Sequence, residues 1–387
     1  MRKSSLFFLL ILINAFGIWA QNPSLQIGAD NVSLILSLLK NKRVGLVVNP
    51  TSRLSNGTFL VDTLIHRKVD VKRIFAPEHG FRGDADAGEK VNNSRDEKTG
   101  IEVVSLYGKN VKPTPGQLAD LDFVVFDIQD VGARFYTYIS TLHYVMEACA
   151  QNGVRVVVLD RPNPNDVIDG PVLDLKFRSF VGLDPLPVLY GLTIGELACM
   201  MNGERWLSGG VRCQLEVVRI QGWKHGDAYS LPVRPSPNLP NDQAIRLYPS
   251  LCFFEATKIS VGRGTDFPFQ VIGYPDSRFG TFQFTPAALP GFDKNPLQKG
   301  QLCYGVDLRN IRSLVGLHLK WLIHFYNLSE QKKTFFSNPG FMDKLAGTNR
   351  LRLQIVSGKS INEIRQSWQA DLDAYKKTRK KYLLYAE

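Results

Sequence analysis

A series of short apolar runs, each followed by a polar segment, sets the layout of this chain. Val44-Gly45-Leu46-Val47-Val48 runs into Asn49-Pro50-Thr51-Ser52. Val71-Lys72-Arg73-Ile74-Phe75 leads to Glu78-His79-Gly80, and Phe123-Val124-Val125-Phe126 leads to Asp127 and Asp130. Val154 to Leu159 leads to Asp160-Arg161-Pro162-Asn163-Pro164, and residues 101–106 add a further strand pattern. Helical patterns lie between them at 58–66, 115–121 and 135–151, the last ending at Asn152-Gly153. Val-, Ile- and Leu-rich strands joined by helices predict a parallel sheet covered on both faces. The strand ends then open on one edge, where open α/β sheets place their ligands. The expected fold class is α/β: a Rossmann-like parallel-sheet domain followed by a second, smaller α+β domain.

The pattern changes after Pro187. A helix is expected over 193–201 and a strand over 215–220, followed by a stretch containing Pro232, Pro235, Pro237, Pro240 and Pro249. Further helices are expected at 314–328, 341–345 and 361–375. The boundary is expected near 185–190, which gives a catalytic domain over 21–187 and an auxiliary domain over 188–387 that completes the cleft. The 387 residues are ample for two cores. At the amino terminus, Arg2 and Lys3 precede an apolar run from Leu6 to Ile13 that continues from Ala15 to Ala20. This is the pattern of a secretory signal over 1–20; the alternative is a membrane anchor that is kept, which the short and broken run disfavours. No Cys follows Ala20, which disfavours a lipid anchor. A mature chain beginning near Gln21, periplasmic or secreted and without a stable membrane span, is expected.

The formal charge is +11, or +9 without Arg2 and Lys3, and the basic residues are scattered apart from a run over 376–381. A scattered excess suits an anionic substrate or an envelope surface. No nucleic-acid-binding motif is present, so nucleic acid is disfavoured as a partner. The cysteines are odd in number, Cys149, Cys199, Cys213, Cys252 and Cys303, and lie in apolar surroundings. They read as buried thiols with at most one disulfide. No dinucleotide loop, P-loop, H-E-x-x-H or G-x-S-x-G motif appears. A carboxylate-driven site of the glycosidase kind, or a metal-free binding cleft, remains.

Glu78 is the first candidate. It sits at a strand exit between Pro77 and His79-Gly80, and shielding by Phe75 and Phe81 would favour a general acid with a raised pKa. The alternative is a loop ion pair with Arg82. His79 either positions a substrate hydroxyl, tunes Glu78 or is structural, and no second His lies at metal-ligand spacing. Asp127 and Asp130 are read as a second catalytic carboxylate, as partners of sugar hydroxyls, or as a Mg²⁺ site. Arg134 is suited to gripping a carboxylate, or to neutralising the two aspartates. Tyr136 and Tyr138 offer stacking and hydroxyls, or begin a core-facing helix.

These segments, taken with Asn49-Pro50-Thr51, Pro77 to Gly83, Asp127 to Tyr138, Asp160 to Pro164, Pro235 to Pro240, Glu255-Ala256-Thr257, Ser260 to Thr265 and Ser367-Trp368-Gln369, resemble one family over nearly the whole chain. It is the exo-β-N-acetylmuramidases of the NamZ type, formerly a family of unknown function. The resemblance implies a Rossmann-like domain joined to an auxiliary domain, with the active site in the cleft between them. It implies release of N-acetylmuramic acid from the non-reducing end of peptidoglycan fragments in cell-wall turnover or recycling. The partners implied are muropeptides and disaccharides that contain N-acetylmuramic acid; neither cofactor nor metal is implied.

Glu78 matches the family's strand-end glutamate, with Glu255, Asp127 and Asp130 as further catalytic candidates. His79, Arg82, Arg134, Tyr136, Tyr138, Arg161, Asn163, Asn238, Thr257 and Arg263 are the candidate substrate contacts. The lactyl carboxylate of the sugar calls for a cation, and Arg82, Arg134, Arg161 and Arg263 are available. Two other readings fit the same residues: a peptidoglycan-binding module without turnover, and a hydrolase of another acidic amino sugar or amide.

Overall fold

The computed structural model describes residues 25–78, 80–82, 94–312 and 314–387. The expected signal segment and His79 lie outside the described residues. Among the described residues, no helix is long and apolar enough to cross a membrane.

The central sheet is built from β1 (Arg43–Val48), β2 (Asp70–Ala76), β3 (Ser94–Arg95), β4 (Glu102–Ser105), β5 (Phe123–Asp127) and β6 (Arg155–Leu159). A small ladder pairs β7 (Ile168–Asp169) with β8 (Leu189–Tyr190), and β9 (Leu215–Val218) completes the central sheet. Its order is β3-β4-β2-β1-β5-β6-β9, and every pairing is parallel except that of β3 with β4.

The near-continuous apolar strands are explained by burial on both faces. Val124 and Phe126 of β5 pack into one core, while Phe123 and Val125 pack into the other. Alternate side chains point to opposite faces of a strand, so each apolar run serves two layers.

The strand β9 lies beyond the boundary expected near 185–190, so the sheet draws on residues from both sides of that position. The second region holds a three-stranded antiparallel sheet of β10 (Val271–Tyr274), β11 (Phe282–Phe284) and β12 (Cys303–Asp307), with β12 in the middle. Helices over Lys320–Leu328, Pro339–Ala346, Arg350–Val356, Ile361–Gln366 and Gln369–Arg379 follow it in the chain. The single helix expected over 361–375 is two. Ser367 turns its hydroxyl onto the Ile364 carbonyl at 2.7 Å, and Trp368 is buried at the break. The carboxyl terminus returns to the first sheet, where the Tyr385 hydroxyl donates to Asp160 at 2.5 Å. All five thiols are free, and Cys199 alone of them is half-buried rather than buried. The single disulfide allowed above is therefore not formed.

Candidate active site

The strand order reverses direction between β1 and β5, and this is where an open α/β sheet has its crevice. Here the crevice is stitched shut. The Thr51 hydroxyl accepts from the Gln129 amide at 3.0 Å, and the Ser52 hydroxyl donates to the Asp127 carbonyl. The Asp127 carboxylate is wholly buried and takes Arg161 in a fork at 2.7 and 2.9 Å. Burial pushes this carboxyl up, and the guanidinium opposes that push. Arg161 also donates to the Arg53 carbonyl at 2.9 Å. The pair ties the ends of β5 and β6 to the loop after β1.

One strand further along, β2 delivers Glu78. Beyond Ala76 the chain turns at Pro77, and the Gly80 amide donates back to the Pro77 carbonyl at 3.1 Å. Gly80 has φ of 75°, a conformation that glycine adopts without a Cβ penalty. Glu78 is half-buried and accepts from the Thr137 hydroxyl at 3.3 Å. Burial holds the phenols of Tyr107 and Tyr138 above their ordinary value, and the neighbouring Glu78 carboxyl adds to it. Among the described residues no ion pair reaches Glu78; Arg82 forks onto Asp96 instead, at 2.7 and 2.9 Å, and lies over the Phe81 ring.

Glu78 faces two adjoining cavities. The larger, about 340 Å³, is closed by Glu255, Ser260, Arg263, Asp293 and Asn295 from the second region. The smaller, about 70 Å³, is walled by Tyr136, Thr137, Ser236, Asn238 and Tyr248, with Arg263 again present. Arg263 donates to Glu255 at 2.7 Å and lies 5.0 Å from the centre of the Phe269 ring. Tyr136 and Tyr138 donate to the Pro235 carbonyl at 2.7 and 3.3 Å, which ties the proline-rich segment to the first domain. Asn238 Nδ2 donates to the Phe292 carbonyl at 3.1 Å, while its buried Oδ1 has no protein partner. With its amide thus oriented, Asn238 is an acceptor available at the wall of the smaller cavity.

The structure therefore brings Glu78, Glu255, Arg263, Tyr136 and Asn238 to one cleft. It does not bring the other described candidates to the walls of these two cavities. Asp130 is buried, accepts from the Gly132 amide at 2.7 Å and from the Tyr190 hydroxyl, and burial pushes its carboxyl up to about 7. Arg134 neither grips a carboxylate nor neutralises the aspartates. It is wholly buried and donates to the carbonyls of Pro171, Leu186 and Leu345 at 2.9, 2.5 and 2.9 Å. Burial without a carboxylate lowers its pKa to about 9. Asn163 donates to the Leu192 carbonyl at 3.0 Å and packs where a Cβ on Gly132 would collide with its Oδ1 at 2.0 Å. Thr257 closes a turn by donating to the Phe254 carbonyl at 2.7 Å. Among the described residues, no cluster of His, Cys, Asp and Glu suited to a metal ion occurs.

Residues 44–243 match the N-terminal domain of exo-β-N-acetylmuramidase NamZ, and residues 246–385 match its C-terminal domain. The chain belongs to the NamZ family. A curated relative, the peptidoglycan β-N-acetylmuramidase NamZ of Bacillus subtilis (strain 168), is 41% identical over 95% of this chain and 92% of its own length. Two crystal structures of DUF1343 family proteins from Bacteroides fragilis superpose over nearly their whole length. One is 42% identical with a TM-score of 0.87, covering 94% of this chain and 99% of its own. The other is 30% identical with a TM-score of 0.81, covering 93% and 99%.

Residues at the cleft of this NamZ-family chain that sequence reasoning did not single out include Thr137, Ser236, Tyr248, Asp293 and Asn295, and Tyr107, whose phenol neighbours Glu78. Tyr107 carried a usable signal, because it follows β4 and strand-end loops are where ligands bind. Asp293 lies in a loop of Pro, Gly and Asn without periodicity, and no sequence signal points to it.

Proposed function

We propose that this protein is an exo-acting β-N-acetylmuramidase that releases N-acetylmuramic acid from the non-reducing end of peptidoglycan fragments. The observation that carries this reading is the placement of Glu78. A carboxyl at the exit of a parallel strand, free of cationic partners among the described residues, faces a cleft closed by the second region. In the reaction, Glu78 donates its proton to the bridging oxygen, the C1–O bond breaks, and the remaining glycan leaves as an alcohol. Water supplies the new hydroxyl on C1, and its other proton restores the protonated carboxyl, so that the net change is addition of one water across the C1–O bond. Glu255 and Asp293 are further carboxylates on the larger cavity, and Asn238 and Tyr136 line the smaller one beside Glu78. The substrates proposed are muropeptides and disaccharides with a terminal N-acetylmuramic acid. The site of action is outside the cytoplasm, supported by the charged and then apolar segment over residues 2–20.

The test is digestion of a defined glycan that ends in N-acetylmuramic acid at its non-reducing end, followed by mass spectrometry. Stepwise appearance of free N-acetylmuramic acid, with the shortened glycan as co-product, is expected. Internal cleavage into mixed oligomers would contradict the exo-acting reading, and saturable binding without cleavage would identify a binding module.

A further inference from the structure

Four arginines were candidates for the lactyl carboxylate, and the structure separates them. Arg82 is held by Asp96, Arg161 by Asp127, and Arg134 by three backbone carbonyls. Arg263 alone of the four lines the cleft. Its Nε and Nη2 both approach the same Glu255 oxygen, each at 2.7 Å, and Nη1 has no acceptor among the described residues. A guanidinium presents five donors in a rigid fork, so one shared oxygen leaves part of that fork unused. The Phe269 ring on one side restricts the plane in which those donors lie.

Position adds a second, independent argument. Among the described residues, Glu78 and Arg263 are the two common to the walls of both cavities, so they stand where the cavities meet. In N-acetylmuramic acid the scissile bond is at C1 and the lactyl ether at C3 of one pyranose ring. The proton donor and the carboxylate receptor must therefore face a single sugar, which two residues lining the same pair of cavities are placed to do.

Resting on the muramidase reading above, we infer that Arg263, oriented by Glu255 and Phe269, receives the lactyl carboxylate and selects N-acetylmuramic acid over N-acetylglucosamine. Glu255 is on this account a positioning residue for that cation as well as a wall of the cleft.

The test compares the 4-nitrophenyl β-glycoside of N-acetylmuramic acid with its lactyl methyl ester, which is neutral and nearly isosteric. A charge-assisted hydrogen bond lost from the wild type lowers kcat/KM for the ester by about 30-fold. In Arg263→Met the acid falls to the level of the ester and the ratio collapses to about one, while Arg263→Lys keeps part of it. An unchanged acid-to-ester ratio in Arg263→Met overturns the inference, even with the wild type active. A wild type inactive on both glycosides instead removes the muramidase reading on which it rests. Should Arg263→Met fail to fold, Arg263→Met/Glu255→Met removes both charges together and is read by calorimetry. The wild type is expected to bind N-acetylmuramic acid about 30-fold more tightly than N-acetylglucosamine, and the double variant to bind both alike. Retained preference in the double variant also overturns the inference.

Discussion

Changing Asp127 to Asn removes one charge from a pair that has no access to water. Asp127 is 0% exposed and Arg161 3%, and two hydrogen bonds of 2.7 and 2.9 Å join them. Asn keeps the shape but leaves the guanidinium uncompensated and turns an amide N–H toward its donors. Breaking one partner of a buried pair costs about 3–5 kcal/mol, because the remaining charge stays buried. The Arg53 carbonyl at 2.9 Å remains as a single acceptor, so the lower half of that range is expected. Urea titration at pH 7, with the slope checked for constancy, measures the loss. The companion Asp127→Leu/Arg161→Met removes both charges and is expected to recover at least about 2 kcal/mol of the single-variant loss, because no unpaired charge remains. Folded Asp127→Asn is expected to keep turnover within about threefold of wild type, since the pair does not line the cleft. A loss below about 1 kcal/mol would refute the ion-pair argument. Wild-type stability with a thousandfold loss of turnover would place Asp127 in the chemistry instead.

Three further outcomes follow from the geometry. His225 donates toward Asp166 and Glu196 at 3.0 Å each; burial opposes its charge, but the two carboxylates outweigh that and raise its pKa to about 9. Its contribution is fully present below the unfolded value near 6.5 and is lost as pH rises through about 9. Up to about 3 kcal/mol of stability should therefore disappear between pH 6.5 and 9.5, and His225→Gln should flatten that slope in urea titrations. Gly347 has φ of 70° and a Cβ there would meet Arg134 Nη2 at 2.7 Å, whereas Gly358 has φ of 75° and open space. Gly347→Ala should thus lower the unfolding free energy by about 2–3 kcal/mol and Gly358→Ala by about 1 kcal/mol, measured side by side. Asn238→Asp should raise KM for the muramic glycoside, because it replaces an available acceptor with a charge beside Glu78, and should lower the melting temperature, because the Phe292 carbonyl loses its donor at 3.1 Å and faces a buried carboxylate; an unchanged KM would remove Asn238 from the substrate-facing wall.

The fold was legible because its strands are two-sided. Runs such as Phe123 to Phe126 bury every residue, and nothing but a covered parallel strand or a buried helix sustains that pattern. The edge strand β9 was harder to place. Leu215 and Val217 are only half-buried and Glu216 is exposed, so its sequence carries no mark of the sheet it joins. The strand-end motifs located the loops but not their internal pairings. Arg134 illustrates why: its carbonyl acceptors lie 37, 52 and 211 residues away, and backbone carbonyls have no sequence signature. Charged residues in strand-end loops serve to tie those loops as often as to face a ligand. Arg82 and Arg161 are of the first kind and Arg263 faces the cleft; only the three-dimensional partners distinguish them.

The central claim, the role of Glu78, is tested most directly on a disaccharide with N-acetylmuramic acid at its non-reducing end, whose sugar leaving group needs a proton, cleaved by the wild type and by Glu78→Gln, with the disaccharide carrying a terminal N-acetylglucosamine in parallel. The wild type should hydrolyse the muramic disaccharide alone. Glu78→Gln should lower kcat by about 10²–10⁴-fold with KM nearly unchanged, as expected when a positioned proton donor is removed. Undiminished turnover by Glu78→Gln, or no turnover by the wild type, would contradict the account.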